Sequence, residues 1–563
     1  MKFYLITFSV FISIIIHAQT PYPKNYFNSP LKIPIILSGT FGELRSNHFH
    51  SGIDIKTLNK EGLPIYAPAD GYVSRIRVAQ YGYGKALYIN HPNGYTTVYG
   101  HLQKFASPIE EHVKEIQYKK ETYSINNLFP KPEEFPIKKG QIIGYTGDTG
   151  SSGGPHLHYE IRDSNTEKII NPLFFGLDVS DSIKPSIQKL MVYPLSEDAR
   201  VNDFANQTIL DLKEVKDGEY ITDRITACGT IGFGIGAFDR LNGASNKNGI
   251  YSLEMKVNGS RVYYHDVETF SFAESKFINL LIDYPYYKQF KNKIQKTHKV
   301  AANKLSIYKD LVNQGAIAIE ENANYMVEII SSDFNQNTTC IKVPVKGVKS
   351  NLIFKQLDTT NYKIKASEFN QFQLQNVSVA FPKNTFYEDC FLDFKLENGV
   401  VKVHDPILPL DKRYTLTFGV SHLSDPQKQQ VYIANVDNPK YPRYVSTKKK
   451  LDKVYTSTKS LGSYTLNFDT QDPTIEPLNF YNGQWISNNN TLKVRIKDNE
   501  TGIRDYRASI DNQWILMEYN HKKGILTYDF NDKKLVGSKH IFKIVVSDNV
   551  GNTKMLNATF FRK

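Results

Sequence analysis

The sequence predicts an all-β chain of several domains, and three observations support this fold class. The 563 residues correspond to about four domains at roughly 150 residues each. Aromatic side chains favour strands, and the chain holds 36 Tyr and 33 Phe. Short runs of alternating apolar and polar residues recur between turn residues, a pattern typical of antiparallel sandwiches and barrels. A composition with 40% hydrophobic and 22% charged residues excludes general disorder.

Residues 1–18 predict an exported protein. Lys2 precedes an apolar run from Phe3 to Ile16, and Ala18 supplies a small residue at the cleavage position. This is the pattern of a secretory signal peptide, and the run is too short for a comfortable membrane span. Because no other run of 18 apolar residues follows, we expect a mature chain without a transmembrane span. We expect it in the periplasm, at the cell envelope or outside the cell.

Residues 19–178 predict a first β domain, in which strand-like runs such as 71–78 and 95–99 alternate with glycine turns. The charged stretch 107–136 interrupts this rhythm and ends in a proline-containing run. We predict that it is an inserted helix or loop on the surface. Long insertions of this kind are often functional or mobile.

Two later parts of the chain share turn motifs in the same order. The matched pairs are 181–187 with 470–475, 237–239 with 496–498, and 332–338 with 547–553. This order predicts two copies of one Ig-like β-sandwich, at 179–346 and 469–563. The first copy carries a lysine-rich insertion at 284–304 that we expect to be helical.

Between the two copies, residues 347–468 predict a third β-sandwich-like domain, because the runs 372–381 and 414–420 alternate in hydrophobicity. We expect the three C-terminal β domains to act as spacers or as a packing scaffold. The alternative is that they bind the cell wall or protein partners in the envelope.

Charge and cysteine content narrow the function classes. The net charge of +12 suits an anionic partner such as nucleic acid, a membrane or a wall polymer. No run of five basic residues occurs, so we do not expect nucleic-acid binding. Cys228, Cys340 and Cys390 allow at most one disulfide and lack metal-site spacing, and we expect buried small side chains.

The residues that carry chemistry are histidines near the N-terminus. His50 stands four residues before Asp54, His101 follows a strand-like run, and His156 and His158 follow a glycine-rich turn. Residues two apart on a strand share a face, so His156 and His158 point into one groove. A catalytic zinc site needs three nitrogen or oxygen ligands and an open position. His50, Asp54 and one member of the 156/158 pair supply those ligands, and spacing does not distinguish the two members.

The ordered set of motifs resembles the LytM/lysostaphin family of zinc metallo-endopeptidases. The motifs are His-Ser-Gly-Ile-Asp at 50–54, Tyr-Gly-His-Leu at 99–102 and His-Leu-His-Tyr-Glu at 156–160. The resemblance covers about residues 36–175. It implies a β-sheet peptidase domain that cuts peptide bonds in the stem peptides or cross-links of peptidoglycan.

The resemblance also implies roles for five residues. It implies one Zn²⁺ per chain, held by His50, Asp54 and His158, with His101 and His156 as the catalytic histidines beside the metal. We expect His156 to act as the general base and His101 to hydrogen-bond the developing oxyanion. The alternative is that these two roles are exchanged.

Two further residues are candidates near this site. Arg45 is a candidate contact for a substrate carboxylate, because a guanidinium binds carboxylates through two parallel hydrogen bonds. The alternative for Arg45 is a surface charge. Glu160 is a candidate acceptor that orients a ligand histidine, and its alternative is a surface carboxylate at a strand end.

The sequence therefore predicts an exported zinc metallo-endopeptidase that hydrolyses peptidoglycan peptides during cell-wall remodelling. One alternative is a non-catalytic envelope protein that binds or regulates through a peptidase-like domain. Another is a secreted protease that acts on protein outside the wall. The insertion 107–136 falls between His101 and His156 in sequence, and it could rim the groove and narrow the range of substrates.

Overall fold

The computed structural model describes residues 22–349 and 359–563. The predicted signal peptide at 1–18 lies outside these residues, as does part of the predicted third domain. Strands dominate what is described, and the prediction of a mostly β chain with several sheets is confirmed. In those two stretches, no helix combines the length and apolar character that a bilayer span requires.

The N-terminal segment (residues 22–178) contains a large antiparallel sheet and a three-stranded sheet around one hydrophobic core. In the large sheet, the strand His156–Asp163 lies between Ile53–Lys56 and Tyr95–Leu102. The strands of this segment are Leu37–Gly39, Ile53–Lys56, Pro64–Tyr66, Gly71–Val78, Lys85–Asn90, Tyr95–Leu102, Lys104–Phe105, Ile125–Leu128, Pro136–Ile137, Ile142–Tyr145, His156–Asp163 and Ile169–Ile170. A short 3₁₀ helix, Pro172–Phe175, follows.

The insertion 107–136 contains one helix, Ile109–Lys120, and the strand Ile125–Leu128. Ile109 and Val113, four residues apart on one face of the helix, belong to the core of the N-terminal segment. The strand pairs with Gly71–Val78. The insertion is therefore fastened to the sheet from both of its halves.

The second segment (residues 179–349) surrounds its own core, and the longest strand in it is Ile225–Phe238. The strands are Ser186–Pro194, Arg200–Val201, Thr208–Leu210, Lys213–Lys216, Glu219–Ile221, Ile225–Phe238, Ser252–Val257, Ser260–Asp266, Thr269–Phe270, Gln295–Lys296, Tyr308–Leu311, Ile317–Ile319, Asn324–Ser332 and Thr338–Gly347. The helices are Ser275–Phe277, Ile278–Leu281, Tyr284–Phe290 and Asn313–Gly315.

The insertion at 284–304, expected to be helical, is helical only over Tyr284–Phe290. Lys291 ends the helix with a left-handed backbone at φ 59°. Gln295 and Lys296 then pair with the strand Ile225–Phe238. The lysine-rich composition did not reveal this pairing, because it is set by a strand about sixty residues away.

The third segment (residues 359–468) contains two five-stranded sheets and a two-stranded sheet around one core. Its strands are Lys363–Ile364, Asn370–Leu374, Val377–Phe381, Cys390–Phe391, Lys395–Glu397, Val400–Lys402, Tyr414–Gly419, Val431–Asn435, Arg443–Val445, Lys448–Lys450, Lys453–Thr458 and Ser463–Phe468. Its helix is Asp425–Gln430, which begins with a capping box at Ser424.

The fourth segment (residues 469–563) contains a four-stranded and a five-stranded sheet around one core. Its strands are Thr474–Pro477, Gln484–Trp485, Thr491–Lys497, Ile503–Ile510, Gln513–Trp514, Glu518–Asn520, Ile525–Asp529, Lys539–Asp548 and Thr553–Phe561. Two hydrophobic sheets that share a core are the arrangement of a sandwich.

The fourth segment packs on the insertion of the N-terminal segment. Lys114 donates to Asp532 at 2.5 Å, and the ring centroids of Tyr118 and Trp514 lie 5.4 Å apart. Both Lys114 and Tyr118 belong to the helix Ile109–Lys120. The insertion, expected as a helix or loop on the surface, therefore contains a helix that packs against the last segment of the chain.

The three cysteines are free. Cys228 is buried, as expected, whereas Cys340 and Cys390 are only half-buried. Burial raises the pKa of the Cys390 thiol to about 12, so this side chain stays protonated and unreactive at neutral pH.

Candidate metal centre and active site

The strand His156–Asp163 separates core residues from site residues by its alternation. Leu157 and Tyr159 are fully buried in the hydrophobic core. Because successive side chains point to opposite faces, His156, His158 and Glu160 project from the other face of the sheet. The two-residue spacing of the sequence thus places both histidines and the carboxylate on the same side.

Register brings the remaining groups to His158. His158 lies opposite Asp54 on one neighbouring strand and opposite Gly100 on the other. A Cβ at Gly100 would lie 3.2 Å from the Cβ of His158 and 3.4 Å from a ring carbon of Tyr83. The glycine therefore leaves room for the imidazole and for Tyr83 beside it.

His50, Asp54 and His158 form a buried triangle of ligand atoms. His50 Nε2 lies 3.1 Å from Asp54 Oδ1 and 3.2 Å from His158 Nδ1. The third side, from His158 Nδ1 to Asp54 Oδ1, measures 2.9 Å. Tetrahedral ligands at zinc distances would stand about 3.3 Å apart, so two nitrogens and an oxygen at these separations fit a zinc-sized cation. The group can hold a metal ion.

The far side of each imidazole is hydrogen-bonded in a way that orients it. His50 Nδ1 lies 2.8 Å from the carbonyl oxygen of Thr40, to which it donates. His158 Nε2 lies 2.8 Å from Glu160 Oε1. With these nitrogens acting as donors, His50 Nε2 and His158 Nδ1 face each other as the nitrogens that a metal ion could bind.

The surroundings of the triangle favour a negative charge on Asp54 and a positive charge on His158. Burial by itself would raise the pKa of Asp54, but the charge of His50 and the close contacts with His156 and His158 hold that pKa well below its usual range. Burial likewise opposes a proton on His158, yet hydrogen bonds to Asp54 and Glu160 raise its pKa to about 9. In the absence of a cation, a proton on His158 therefore neutralises part of the carboxylate charge.

His101 and His156 lie beside the triangle with matching orientations. His101 Nδ1 donates to the carbonyl of Thr149 at 2.8 Å, and His156 Nδ1 donates to that of Gly154 at 2.8 Å. Their ring centroids are 4.8 Å apart, and His156 Nε2 is 3.4 Å from Asp54 Oδ1. Burial, followed by the neighbouring His158 and His156, lowers the pKa of His101 to about 3. In its neutral form each imidazole keeps Nε2 as its unprotonated nitrogen, able to accept a proton.

Glu160 sits at the centre of a network that sequence reasoning only partly foresaw. It is fully buried, and its Oε1 accepts from Ser51 at 2.6 Å and from the hydroxyl of Tyr83 at 2.5 Å. Its Oε2 accepts from Arg162 Nε at 2.7 Å. Burial opposes its charge, but Arg162 and His158 hold the pKa of Glu160 well below its usual value.

Three members of this network were missed. Ser51 lies inside the motif that contains His50, and Arg162 follows Glu160 by two residues, so alternation on the strand could have indicated it. Tyr83 carried no signal, although its ring stacks on His158 with centroids 5.1 Å apart.

Arg45 contacts the metal-site carboxylate. Its Nη2 lies 3.2 Å from Asp54 Oδ2 and 3.2 Å from Glu43 Oε2, and 36% of the side chain is exposed. The first contact holds Oδ2 of Asp54, whereas His50 and His158 lie against its Oδ1. Contact with a substrate carboxylate stays a prediction for Arg45.

The fourth segment also reaches the edge of the site. Lys522 Nζ donates to the carbonyl and the carboxylate of Asp148, at 2.7 Å each. Asp148 precedes Thr149, whose carbonyl holds His101. The ring of His521 lies 4.7 Å from that of Tyr81. The loop behind His101 is therefore supported by a segment more than 350 residues away in sequence.

Two family models match parts of the chain. Residues 48–118 and 121–172 match peptidase family M23, and residues 361–469 match a Zu5-like domain. The first match contains the three candidate metal ligands and both catalytic candidates. The second lies in the third segment, for which the sequence indicated only a β-sandwich.

Curated relatives share the same N-terminal part. DD-carboxypeptidase/endopeptidase Mpg of Neisseria meningitidis is 31% identical over 159 residues, which are 27% of this chain and 30% of the relative. Peptidoglycan DD-endopeptidase ShyC of Vibrio cholerae is 34% identical over 168 residues, 28% of this chain and 31% of the relative. The chain thus spans about a third of the length of these relatives.

Among solved structures, the catalytic domain of the prophage-encoded M23 protein EnpA from Enterococcus faecalis is 25% identical. It covers 27% of this chain and 98% of that chain, with a TM-score of 0.20. The antimicrobial peptidase lysostaphin from Staphylococcus simulans is 17% identical, and the match covers 34% of this chain and 82% of that chain with a TM-score of 0.17.

Proposed function

We propose that this chain, whose N-terminal segment belongs to peptidase family M23, is an exported zinc metallo-endopeptidase that hydrolyses peptide bonds in peptidoglycan. One observation carries the proposal: the buried triangle of His50, Asp54 and His158 lies beside two further imidazoles, those of His101 and His156. A structural metal site would have no use for the two additional histidines.

The donor set suits zinc. Two imidazole nitrogens and one carboxylate oxygen are typical of catalytic zinc sites with three protein ligands. His50, Asp54 and His158 would hold the ion, which supplies Lewis-acid polarisation of the scissile carbonyl when bound. Thr40 and Glu160 fix the two ligand imidazoles, so the ligands need little rearrangement on loading.

His101 and His156 supply proton transfer. Each is held at Nδ1 by a backbone carbonyl, and each keeps Nε2 available to take the proton of the attacking water. The same atom can then return the proton to the leaving amine, or donate a hydrogen bond to the oxyanion. We assign the general base to His156, because its Nε2 lies 3.4 Å from Asp54 Oδ1.

Several observations support peptidoglycan as the substrate. Matched relatives include proteins named peptidoglycan DD-endopeptidases. The net charge of +12 suits an anionic wall, and the pattern of residues 1–18 suits export to the envelope or beyond.

The contacts of Asp532, Trp514 and Lys522 favour the fourth segment as a packing scaffold for the peptidase domain.

The test is a digestion of purified sacculi by zinc-loaded residues 19–563, with the soluble muropeptides analysed by mass. We expect new fragments from the parent protein and none from His156→Ala or after zinc removal. His422→Ala is the matched control, because His422 is exposed and lies in the third segment. Sacculus binding without cleavage by zinc-loaded protein would favour the non-catalytic envelope role instead. Cleavage of proteins but not sacculi would favour the secreted protease.

A further inference from the structure

A second group of acidic side chains lies at the junction of the N-terminal and second segments. Asp181 precedes the strand Ser186–Pro194, Asp239 follows Ile225–Phe238, and Asp333 follows Asn324–Ser332. One carboxylate oxygen from each of the three lies within 4.8 Å of the other two. Three strand ends thus bring three negative charges together.

One oxygen of the buried carboxylate of Asp239 lacks a hydrogen-bond partner. Asp239 is 2% exposed, and no hydrogen-bond partner in residues 22–349 and 359–563 reaches its Oδ1. A buried carboxylate oxygen that no donor reaches is costly, so this atom indicates a missing ligand.

The other two carboxylates are held in place. Asn337 donates from its backbone to Asp333 Oδ1 at 2.8 Å and from its side chain to Asp333 Oδ2 at 2.6 Å. The N–H of Ile183 donates to Asp181 Oδ1 at 3.0 Å. The oxygens are therefore oriented before any ligand binds.

A small cavity lies between these residues. Its volume is about 30 Å³, and it is lined by the three aspartates together with Thr40 and Phe41 of the N-terminal segment. This space suits one water molecule or one ion. An ion in this cavity would lie beside Thr40, the residue whose carbonyl orients His50.

The fourth segment repeats the arrangement with one informative difference. Asp469, Asp498 and Asp548 form an equivalent group, and Asn552 donates to Asp548 as Asn337 does to Asp333. Here, however, no buried carboxylate oxygen is without a partner among the described residues. Thr501 donates to Asp469 at 2.8 Å, and Gly502 donates to Asp498 at 2.6 Å. Only the group in the second segment leaves a buried oxygen without a donor.

We propose that Asp181, Asp239 and Asp333 bind a calcium ion between the N-terminal and second segments. Calcium takes six to eight oxygen ligands in flexible geometry, so three carboxylates, backbone carbonyls and water suit it. Zinc prefers nitrogen and sulfur donors, and magnesium demands a regular octahedron and retains its water. Extracellular calcium modules bind with dissociation constants of about 10⁻⁴ to 10⁻³ M, the range we expect here.

A proton is the competing occupant. Burial, followed by the charges of Asp181 and Asp333, raises the pKa of Asp239 to about 8. A proton shared within the group would satisfy it without metal. The two occupants differ in their response to calcium, which makes them separable by experiment.

The test uses the zinc-loaded full mature chain after removal of calcium by dialysis over a chelating resin. Bound ⁴⁵Ca²⁺ per chain is counted by equilibrium dialysis, and Tm is measured with and without calcium. At 100 times the dissociation constant, calcium should raise Tm by about 5 °C or more. Magnesium at the same concentration is the control for ionic strength.

Asp239→Asn should bind one calcium fewer than the parent. Without calcium it should unfold no lower than the parent, because an amide at this position carries no charge that Asp181 and Asp333 would repel. Asp217→Asn, which removes an exposed carboxylate of the same segment, should match the parent in both measurements. If Asp239→Asn does not fold, the half-buried Asp181→Asn replaces it.

A parent protein that binds no calcium would overturn the proposal and leave the proton as the occupant. Unchanged calcium binding in both Asp239→Asn and Asp181→Asn would overturn it as well. Neither result depends on peptidase activity, so this proposal and the proposed function fail separately.

Discussion

Glu160→Gln should weaken zinc binding although it leaves all three candidate ligands, His50, Asp54 and His158, in place. The carboxylate accepts from His158 Nε2 at one oxygen and from Arg162 at the other. A glutamine fills the same space but presents one oxygen and one amide group. Whichever way the amide is turned, its NH₂ faces either His158 or Arg162, both of which donate. One hydrogen bond of this network is therefore lost and becomes a clash between donors.

The size of the effect follows from these contacts. Loss of the group that orients a metal-ligating histidine typically weakens metal affinity by about 10- to 100-fold. Breaking a buried ion pair from one side costs about 3–5 kcal/mol, because the remaining charge is left uncompensated. Arg162 retains a second carboxylate, Glu167, at 3.5 Å, so we expect about 3 kcal/mol.

The assay is a competition between the protein and a chromogenic zinc chelator, with urea unfolding of the zinc-free protein measured in parallel. Glu167→Gln is the matched control, because Glu167 pairs with the same Arg162 but is 52% exposed. It should change zinc affinity less than threefold and stability by less than about 1 kcal/mol. A folded Glu160→Gln protein that binds zinc as tightly as the parent would refute this reasoning.

Three further outcomes follow. Because the pKa of His158 is about 9 without metal, zinc loading at pH 7 should release about one proton. The apparent zinc affinity should therefore rise with pH up to about 9. Zinc titrations in weakly buffered solution measure the proton release. Burial lowers the pKa of His91 to about 4, so its contribution to stability is complete above pH 6.5 and falls by about 3 kcal/mol as the pH drops to 4. The free energy of unfolding, measured with urea between about pH 6.5 and 4, should depend less steeply on pH in His91→Gln than in the parent. An equal pH dependence would contradict the assignment. Lys522→Ala, which frees Asp148, should lower kcat and leave zinc content unchanged, whereas the exposed Lys523→Ala should leave both unchanged.

The residues of the candidate metal site could be proposed from sequence because their chemistry is local. A two-residue spacing on one strand places His156 and His158 on the same face, and His50 and Asp54 share a short motif. The choice of His158 as ligand needed the family resemblance, since spacing treats both histidines alike. The structure brings His158, rather than His156, into the closest triangle with His50 and Asp54.

Long-range contacts account for what the sequence did not reveal. Tyr83 reaches Glu160 from a turn between two strands, and its position depends on packing against residues far along the chain. The core of the N-terminal segment includes Leu241, Phe277 and Ile278 of the second segment. Likewise, the sequence around Lys114 does not indicate that its partner is Asp532, 418 residues away. Alternation and turn motifs describe single elements, whereas these contacts arise only from how the elements assemble.

The most direct measurement of the central claim is digestion of peptidoglycan in ¹⁸O-labelled water by the zinc-loaded protein. Hydrolysis of a peptide bond predicts released muropeptides that carry one ¹⁸O atom at the new carboxyl end. The same fragments should be absent with His156→Ala and present with His422→Ala. Zinc-loaded parent protein that releases no labelled fragment from sacculi would contradict the claim that this chain is a peptidoglycan endopeptidase.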